Sequence, residues 1–249
     1  MRAVVVGASS GLGRCIAVGL AQKGEQVALL ARRLDKLEGA VEEAGNGAVA
    51  VRCDVTDAAS AHAAIEEAAA KLGGIDALVY STGIGPLHRV EDIDVDTWRA
   101  ALDTNVVGAS IVTAAALPHL QASRGRAAYL SSVSGSTTAP WPGLGAYVVS
   151  KAALERLIEV WRVEHPAVGF TRVIVGDCVG GEGDSMTGFN TGWDMDLALE
   201  LFPTWAARGL ISETQLAVEE LVETVDHVLR LGATANIPSV AVTPRNPAS

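Results

Sequence analysis

Two residues four positions apart, Tyr147 and Lys151, form a Tyr-x-x-x-Lys pair. Residues at this spacing lie on one face of a helix, one turn apart. An ammonium beside a phenol stabilises the phenolate, so we predict that Lys151 lowers the pKa of Tyr147 from its reference value near ~10 toward neutral pH. Such a pair can exchange a proton with a reacting molecule. Ser131 and Ser132 lie upstream, where a hydroxyl could bind a substrate oxygen and stabilise negative charge on it.

A glycine-rich turn near the start of the chain indicates a phosphate-binding site. The apolar run at residues 3–6 precedes GASSGLGR, a G-x-x-x-G-x-G spacing. We interpret it as a buried strand, a tight turn and a helix whose N–H groups and dipole favour a diphosphate. An ordinary glycine-rich turn is the alternative. The residues predicted to bind a dinucleotide here are Gly7, Ser9, Ser10, Gly11, Leu12 and Gly13.

Two arginines follow the second predicted strand, residues 26–31. In dinucleotide-binding folds an acidic residue at this place bonds the 2′-hydroxyl of NAD, whereas an arginine accommodates the 2′-phosphate of NADP. Arg32 occupies this place, with Arg33 beside it and Asp35 later, so we predict NADP(H) as the cofactor. Two solvated arginines are the alternative. Asp54, after the third predicted strand, could accept a hydrogen bond from the adenine amine or could simply form a turn.

The rest of the chain alternates apolar strands with helices, a pattern typical of βαβ units in a parallel sheet. The predicted strands cover residues 3–6, 26–31, 48–51, 77–80, 126–130, 168–175 and 239–242. One predicted helix runs from the glycine-rich turn to about residue 23, and another ends at residue 72. The other predicted helices cover residues 34–44, 96–120, 145–165 and 214–231. A ligand of such a sheet lies beyond the carboxyl ends of the strands.

The composition favours one α/β domain over residues 1–249 with a sizeable core. Apolar residues make up 49% of the chain, and 19 basic against 29 acidic residues give a net charge of −10. Such a chain is not expected to bind nucleic acid or an anionic membrane. The three cysteines and five histidines show no metal-ligand spacing, so we predict no metal and a reducing, cytoplasmic location. No signal peptide and no membrane span are expected.

In combination and order, five motifs resemble the classical short-chain dehydrogenases/reductases. They are Gly7-x-x-x-Gly11-x-Gly13, Asp54 after the third strand, Thr104-Asn105-Val106, Ser131-Ser132 and Tyr147-x-x-x-Lys151. The resemblance implies a Rossmann-type doubly wound sheet of about seven strands, in the order 3-2-1-4-5-6-7, with helices on both faces. It also implies a homodimer or homotetramer and a catalytic tetrad of Asn105, Ser132, Tyr147 and Lys151. The cofactor site would further include Val55, Ser81, Thr82 and Gly83.

The chain departs from the family pattern at four places. Val6 stands where a threonine is common, and Tyr80-Ser81-Thr82-Gly83 replaces an Asn-Asn-Ala-Gly motif. Cys178-Val179 stands in place of a Pro-Gly pair. Ser132 and Tyr147 are 15 positions apart, more than the family spacing, so Ser134 competes for the role of the catalytic serine. These departures affect the cofactor contacts and leave the tetrad intact.

The resemblance implies that an NADP(H)-dependent oxidoreductase interconverts a carbonyl compound and a secondary alcohol. Tyr147 would act as acid or base, Lys151 would hold the nicotinamide ribose, and Ser132 would bind the substrate oxygen. Asn105 would anchor a water that links Lys151 to solvent, although a buried amide in an apolar helix also fits a structural role. One alternative is a non-catalytic NADP(H)-binding sensor on the same fold. Another is an epimerase or dehydratase of the extended branch, which carries a larger substrate domain.

Aromatic residues are few in this chain but concentrate in a segment that we call the lid, residues 180–210. They predict a bulky, mostly apolar substrate, although they could equally pack the lid onto the domain. The aromatic residues and methionines of this segment are Met186, Phe189, Trp193, Met195, Phe202 and Trp205, and Trp141 would line the opposite wall. The long apolar segments at 96–120 and 145–165 predict helix-on-helix pairing between subunits.

Overall fold

The computed structural model describes residues 1–232 and 234–245 of the chain. Its centre is one seven-stranded sheet in the order β3-β2-β1-β4-β5-β6-β7, and each neighbouring pair is parallel. The predicted fold class and strand order are therefore confirmed. The strands are β1 (Arg2–Val6), β2 (Gln26–Ala31), β3 (Val49–Arg52), β4 (Ala77–Tyr80), β5 (Arg126–Ser132), β6 (Gly169–Val175) and β7 (Ser239–Val242).

The helices connect these strands and cover both faces of the sheet. They are α1 (Gly11–Gln22), α2 (Leu34–Ala44), α3 (Ala58–Leu72), α4 (Val95–Leu102), α5 (Gly108–Ser123), α6 (Val133–Ser136), α7 (Gly145–Glu164), α8 (Met195–Ala207) and α9 (Val218–Leu229). Side chains of α3, α5 and α7 fill the core on one face, and those of α1, α2 and α9 fill the core on the other. Because both faces are covered, the central strands are apolar throughout rather than alternating.

The helix predicted over residues 96–120 is present as one helical segment, Val95–Ser123, which contains a π-helical turn. A five-residue π-helical turn, Asp103–Val107, separates α4 from α5. Within the described residues, Val95–Ser123 is the one helical segment long and apolar enough to cross a membrane, and 44% of its most apolar window is buried. Its inward side chains, such as Val112 and Leu120, belong to the core against the sheet, which is the position of a core helix.

A third apolar cluster lies under the lid. Leu87, Leu144 and Leu201 are buried there, together with Trp205. Helix α8 supplies Leu201 and Trp205, so it turns one side toward the carboxyl ends of the strands. The lid therefore packs on the loop after β4 and on the start of α7, which follow the carboxyl ends of the strands where the sequence predicts a ligand.

Candidate active site

Helix α7 places Tyr147 and Lys151 on one face at its first turns. The Lys151 Nζ atom lies 5.7 Å from the centre of the Tyr147 ring. Lys151 is buried, and its Nζ donates a hydrogen bond of 2.8 Å to the carbonyl oxygen of Leu130 on β5. The pair predicted from the four-residue spacing thus faces the carboxyl end of β5.

The pKa values of this pair differ from the expectation. Burial raises the pKa of Tyr147 to about 12, and the neighbouring Ser132 hydroxyl opposes this effect. Burial lowers the pKa of Lys151 to about 8, and the negative charge of Glu155 opposes it. The expected lowering of the Tyr147 pKa is therefore wrong for this structure, because desolvation of the phenol is the largest effect on its pKa and the Ser132 hydroxyl offsets only part of it.

Two serines meet at the end of β5. Ser132 is the N-cap of α6, and its Oγ accepts a hydrogen bond of 3.2 Å from the Ser134 backbone N–H. The two hydroxyl oxygens lie 3.0 Å apart. Ser134 is buried, whereas Ser132 is half-buried. Ser132 is also the serine whose hydroxyl lowers the pKa of the Tyr147 phenol. The structure therefore brings Ser132 to the phenol and leaves Ser134 behind it.

Asn105 is fully buried within the π-helical turn. Its Oδ1 accepts from the Ile84 N–H at 2.9 Å, and its Nδ2 donates to the Ile84 carbonyl at 2.9 Å and to Ser150 Oγ at 2.8 Å. The Ser150 hydroxyl in turn donates to the Tyr147 carbonyl at 2.7 Å. Asn105 thus ties the π-helical turn to the loop after β4 and to the catalytic end of α7.

The glycine-rich turn joins β1 to α1 as predicted. Gly7 has a φ of +91°, and a Cβ placed on it would lie 2.8 Å from the Thr82 nitrogen. Ser10 is the N-cap of α1 but makes no side-chain cap hydrogen bond, and the first turn holds no acidic residue. The N–H groups of this turn, at Gly11, Leu12 and Gly13, therefore lack a side-chain cap and face no carboxylate of their own helix.

The two arginines after β2 behave differently. Arg33 Nη2 donates to Ser9 Oγ at 2.9 Å and to Ser10 Oγ at 2.7 Å, which holds its guanidinium on the glycine-rich turn. Arg32 is exposed, and its charge contributes to a lowered pKa of Asp54. The main cause of that lowered pKa is the Thr56 hydroxyl, which donates to Asp54 Oδ1 at 2.7 Å. Asp54 is thus a turn aspartate with one engaged carboxylate oxygen.

The altered motif after β4 still packs against both halves of the site. The Ser81 hydroxyl donates to the Val6 carbonyl at 2.6 Å, which joins this loop to the glycine-rich turn. A Cβ placed on Gly83 would lie 3.3 Å from Lys151 Nζ and 3.4 Å from Asn105 Oδ1. Tyr80 points into the core and donates to the Thr104 carbonyl at 2.5 Å. Burial accordingly raises its pKa above the ordinary value.

Val55 is the predicted cofactor residue that faces inward. Its side chain is buried, and a Cβ placed on Gly108 would lie 3.0 Å from it. The side chain of Val55 therefore contributes to the core at the start of α5. Only its backbone could take part in a cofactor site.

The lid covers Tyr147 with aromatic side chains. The Phe189 ring lies edge-on to the Tyr147 ring, with centroids 4.8 Å apart. Trp193 contacts Phe189 and donates from Nε1 to the Gly85 carbonyl at 2.7 Å. Trp205 donates from Nε1 to the Pro142 carbonyl at 2.8 Å. Phe189, Trp193, Trp205 and Trp141 thus form one aromatic cluster that reaches the phenol through Phe189, whereas Phe202, Met186 and Met195 are exposed.

Two charged residues near the site were not singled out in the sequence. Glu155 lies one helical turn after Lys151, and the four-residue spacing was a visible signal. Asp184 in the lid pairs with Lys36 at 2.7 Å, which links the lid to the start of α2 beside Arg33. No local pattern in the sequence relates these last two residues, which are 148 positions apart.

Comparisons with known proteins identify the family of the chain. A family model described as short chain dehydrogenase matches residues 1–181. The 11-beta-hydroxysteroid dehydrogenase A of Sesamum indicum is 35% identical over 179 residues, which cover 70% of this chain and 51% of that enzyme. An oxidoreductase of Myxococcus xanthus is 36% identical over 171 residues, 67% of either protein. The chain thus spans about half the length of the first relative and two thirds of the second.

Solved structures show the same architecture. An alcohol dehydrogenase from Thermococcus sibiricus, complexed with 5-hydroxy-NADP, superposes with a TM-score of 0.78 at 25% identity and covers 96% of this chain and 94% of its own. The closed form of a serine dehydrogenase complexed with NADP⁺ superposes with a TM-score of 0.79 at 27% identity, and the match covers 97% of this chain and 94% of the serine dehydrogenase. Both neighbours hold an NADP-type nucleotide.

Proposed function

The chain belongs to the short chain dehydrogenase family, and from this premise we propose that it interconverts a carbonyl compound and a secondary alcohol with NADP(H). The observation that carries the proposal is the convergence of Ser132, Tyr147 and Lys151 at the carboxyl end of β5. Lys151 Nζ is anchored on that strand, and the Ser132 hydroxyl lies close enough to Tyr147 to lower the pKa of its phenol. A phenol, a hydroxyl and an ammonium in this arrangement form an acid–base site.

The residues around the glycine-rich turn fit a dinucleotide. The N–H groups at the start of α1 have no side-chain cap, and Arg33 is fixed beside them by Ser9 and Ser10. A helix N-terminus with an adjacent guanidinium suits phosphate groups, including a 2′-phosphate. These features support NADP(H) over NAD(H). When bound, the nucleotide supplies the hydride for the reaction.

Tyr147 is the proton donor in the direction of carbonyl reduction. Its pKa of about 12 keeps the phenol protonated at neutral pH, so its Oη can give a proton to the substrate oxygen. Ser132 Oγ donates a hydrogen bond to the same oxygen and stabilises the negative charge that develops there. Ser134 holds Ser132 in place from below. Ser132 is thus the better candidate for the catalytic serine.

Lys151 and Asn105 support the phenol. The Lys151 ammonium would contact the ribose of the cofactor and favour negative charge on Tyr147 Oη after proton transfer. Asn105 holds the first turn of α7 through Ser150. The water-anchoring role that the resemblance implies for Asn105 remains part of this proposal, because Oδ1 has a second lone pair beyond its bond to Ile84.

The substrate is proposed to be bulky and mostly apolar. Its binding surface would consist of the aromatic rings around Tyr147, since Phe189 contacts the phenol and Trp193 and Trp205 lie behind it. The buried Trp141 indole N–H has no hydrogen-bond partner among the described residues. A substrate acceptor atom at that end of the site would satisfy it.

The proposal is tested by NADPH oxidation with a panel of ketones and aldehydes, using Tyr147→Phe and Tyr129→Phe. Positioned acid–base catalysis is typically worth ~10²–10⁴-fold, so Tyr147→Phe is expected to lose at least about 100-fold in turnover while still binding NADPH. Tyr129→Phe removes a hydroxyl from the core, where it contacts Thr113, and is expected to retain turnover. Full activity of Tyr147→Phe would exclude the mechanism.

A non-catalytic NADP(H) sensor is the second candidate. The observation that favours it is the Phe189 ring, which covers the phenol that a substrate must reach. Tight NADPH binding without oxidation by any carbonyl compound, in both the native protein and Phe189→Ala, would support the sensor.

A homo-oligomer in a reducing compartment completes the proposal. Val149, Val160 and Val163 are exposed on α7, and Val107 is exposed at the start of α5. Exposed apolar residues on two adjacent helices support pairing of subunits through this surface. Sedimentation of the chain as a monomer at micromolar concentration would contradict it. The three cysteines are free thiols, which supports a cytoplasmic location.

A further inference from the structure

Glu155 is a buried carboxylate that the proposed mechanism does not use. It lies four residues after Lys151 on α7 and is only 3% exposed. A Cβ placed on Gly135 would lie 3.2 Å from Glu155 Oε1 and 3.2 Å from Lys151 Cβ, so α6 covers both side chains at once. Burying a carboxylate is costly unless partners satisfy it, so its presence here calls for a specific role.

Two partners hold the carboxylate in place. Ser131, the residue before the proposed catalytic serine, donates from Oγ to Glu155 Oε1 at 2.7 Å. Arg172 on β6 donates from Nη1 to Glu155 Oε2 at 3.2 Å and to Glu159 Oε1 at 3.2 Å. The Ser131 bond fixes the carboxylate to β5, the strand whose Leu130 carbonyl also holds Lys151 Nζ. One strand therefore positions both charges.

Few charges surround the buried lysine. Among the described residues, the titratable and charged side chains near Lys151 and Glu155 are Tyr147 on α7 and Arg172 on β6, with Glu159 beyond them on Arg172, whereas β5 and α6 contribute serines. Burial by itself favours the neutral amine, and Glu155 is the charge that opposes this effect at Lys151. Glu159 lies one turn further along the helix and is paired with Arg156 as well as Arg172.

We propose that Glu155 is a positioning residue of this site, whose buried carboxylate, held by Ser131 and Arg172 one helical turn from Lys151, keeps the Lys151 side chain in its ammonium form. The role rests on the proposed function, since Lys151 acts there as a cation. Without the carboxylate, Lys151 becomes a neutral amine within the working pH range. The site then loses the positive charge that favours proton release from Tyr147 Oη and that attracts the cofactor.

Lys151 can be observed directly because the chain contains four lysines, Lys23, Lys36, Lys71 and Lys151. The protein is labelled with ¹³Cε-lysine, each signal is assigned by substitution, and the Lys151 signal is titrated with pH in the full chain. In Glu155→Gln its midpoint is expected to fall by about one pH unit, a tenfold change in the ratio of charged to neutral lysine. Glu159→Gln is the matched control and should leave the midpoint in place. An unchanged midpoint in Glu155→Gln, or an equal fall in both variants, overturns the proposal.

Turnover gives a second measurement on the same variants. With a Lys151 pKa of about 8 in the native chain and one unit lower in the variant, the rate of Glu155→Gln falls about fivefold at about pH 8 and less than about twofold at about pH 6.5. A loss that is equal at both pH values indicates a structural defect and contradicts the role. If the native protein reduces no carbonyl compound, the proposed function fails, whereas the lysine titration still decides the role of Glu155.

Glu155→Gln leaves Arg172 with one carboxylate fewer, which could prevent folding. In that case Glu155→Met with Arg172→Met is compared with Arg172→Met alone. The double variant removes both members of the ion pair, and in Arg172→Met the Ser131 hydroxyl still donates to Glu155. The Lys151 midpoint is expected to be about one pH unit lower in the double variant than in Arg172→Met. Equal midpoints in these two proteins overturn the proposal.

Discussion

Replacing Phe189 with alanine tests whether the lid controls the ionisation of Tyr147. The Phe189 ring lies edge-on to the Tyr147 ring, with centroids 4.8 Å apart, and covers one side of it. Burial raises the pKa of Tyr147 from 10.0 to about 12. A difference of this size is a hundredfold change in the ionisation ratio, at most about 2.7 kcal/mol for a phenol that is only half-buried. Removing the Phe189 ring exposes one side of the phenol and is expected to reverse about half of this pKa shift. The midpoint of the Tyr147 ionisation is therefore expected to fall by about one pH unit in Phe189→Ala.

The assay is the ultraviolet absorbance of tyrosinate, which is readable here because the chain has three tyrosines. Burial raises the pKa of Tyr80 and Tyr129 even more strongly than that of Tyr147. Tyr147 is therefore the first to ionise in the folded protein, and the step is absent from Tyr147→Phe. Phe202→Ala, which removes an exposed lid aromatic, is the matched control and should not move the step.

The pH dependence of folding stability tests the same prediction independently. Because folding raises the pKa of Tyr147, the neutral phenol stabilises the fold below pH 10, and this contribution disappears as the pH rises toward about 12. In Phe189→Ala this contribution is expected to disappear at a lower pH, because the pKa of Tyr147 in the folded state is lower. A native protein in which one tyrosine ionises near pH 10, or a Phe189→Ala protein with an unchanged midpoint, would refute the assigned burial of the phenol.

Two further predictions concern the lid and the cofactor turn. Trp205 is 5% exposed and bonded to the Pro142 carbonyl, so Trp205→Ala is expected to lower the free energy of unfolding by about 3–5 kcal/mol in urea titrations. A loss below about 1 kcal/mol would show that the lid is not packed as described. Arg33→Ala is expected to weaken NADPH binding at least about tenfold more than Arg32→Ala, because Arg33 is fixed on the glycine-rich turn. Equal losses in fluorescence-based titrations, or a larger loss for Arg32→Ala, would contradict this assignment.

The sequence was most informative where apolar runs end at glycines or charges. The predicted bounds of β2 and α2 agree with the structure, and Arg32 and Gly45 follow these two runs. The bounds of β4 and β7 also agree, although Ser81 and Thr243 follow those strands. Helix α9 starts at Val218, four residues later than predicted. The preceding segment is held by Asp177, which accepts from the Ser212 and Leu216 N–H groups. Tertiary hydrogen bonds of this kind compete with helix propensity and leave no local pattern.

The π-helical turn shows the same limit inside the site. The apolar run at 96–120 predicts one helix, which is confirmed, but nothing in its periodicity indicates the π-helical turn. Asn105 in this turn bonds to Ile84 and Ser150, which are distant in the sequence. The pKa shifts of Tyr147 and Lys151 could not be predicted from the sequence either. Their largest cause is burial, which the four-residue spacing does not indicate.

The two sides of the phenol differ in how firmly they are held. Behind Tyr147, buried hydrogen bonds through Ser150 and Asn105 fix its backbone, and each would leave an unsatisfied polar group if broken. In front of it, Phe189 makes an apolar contact that another apolar surface can replace at little cost. A substrate that displaces Phe189 must therefore offer comparable apolar area. A small charged carbonyl compound would leave the surrounding rings uncovered, which is the physical reason to expect selection for bulky, apolar substrates.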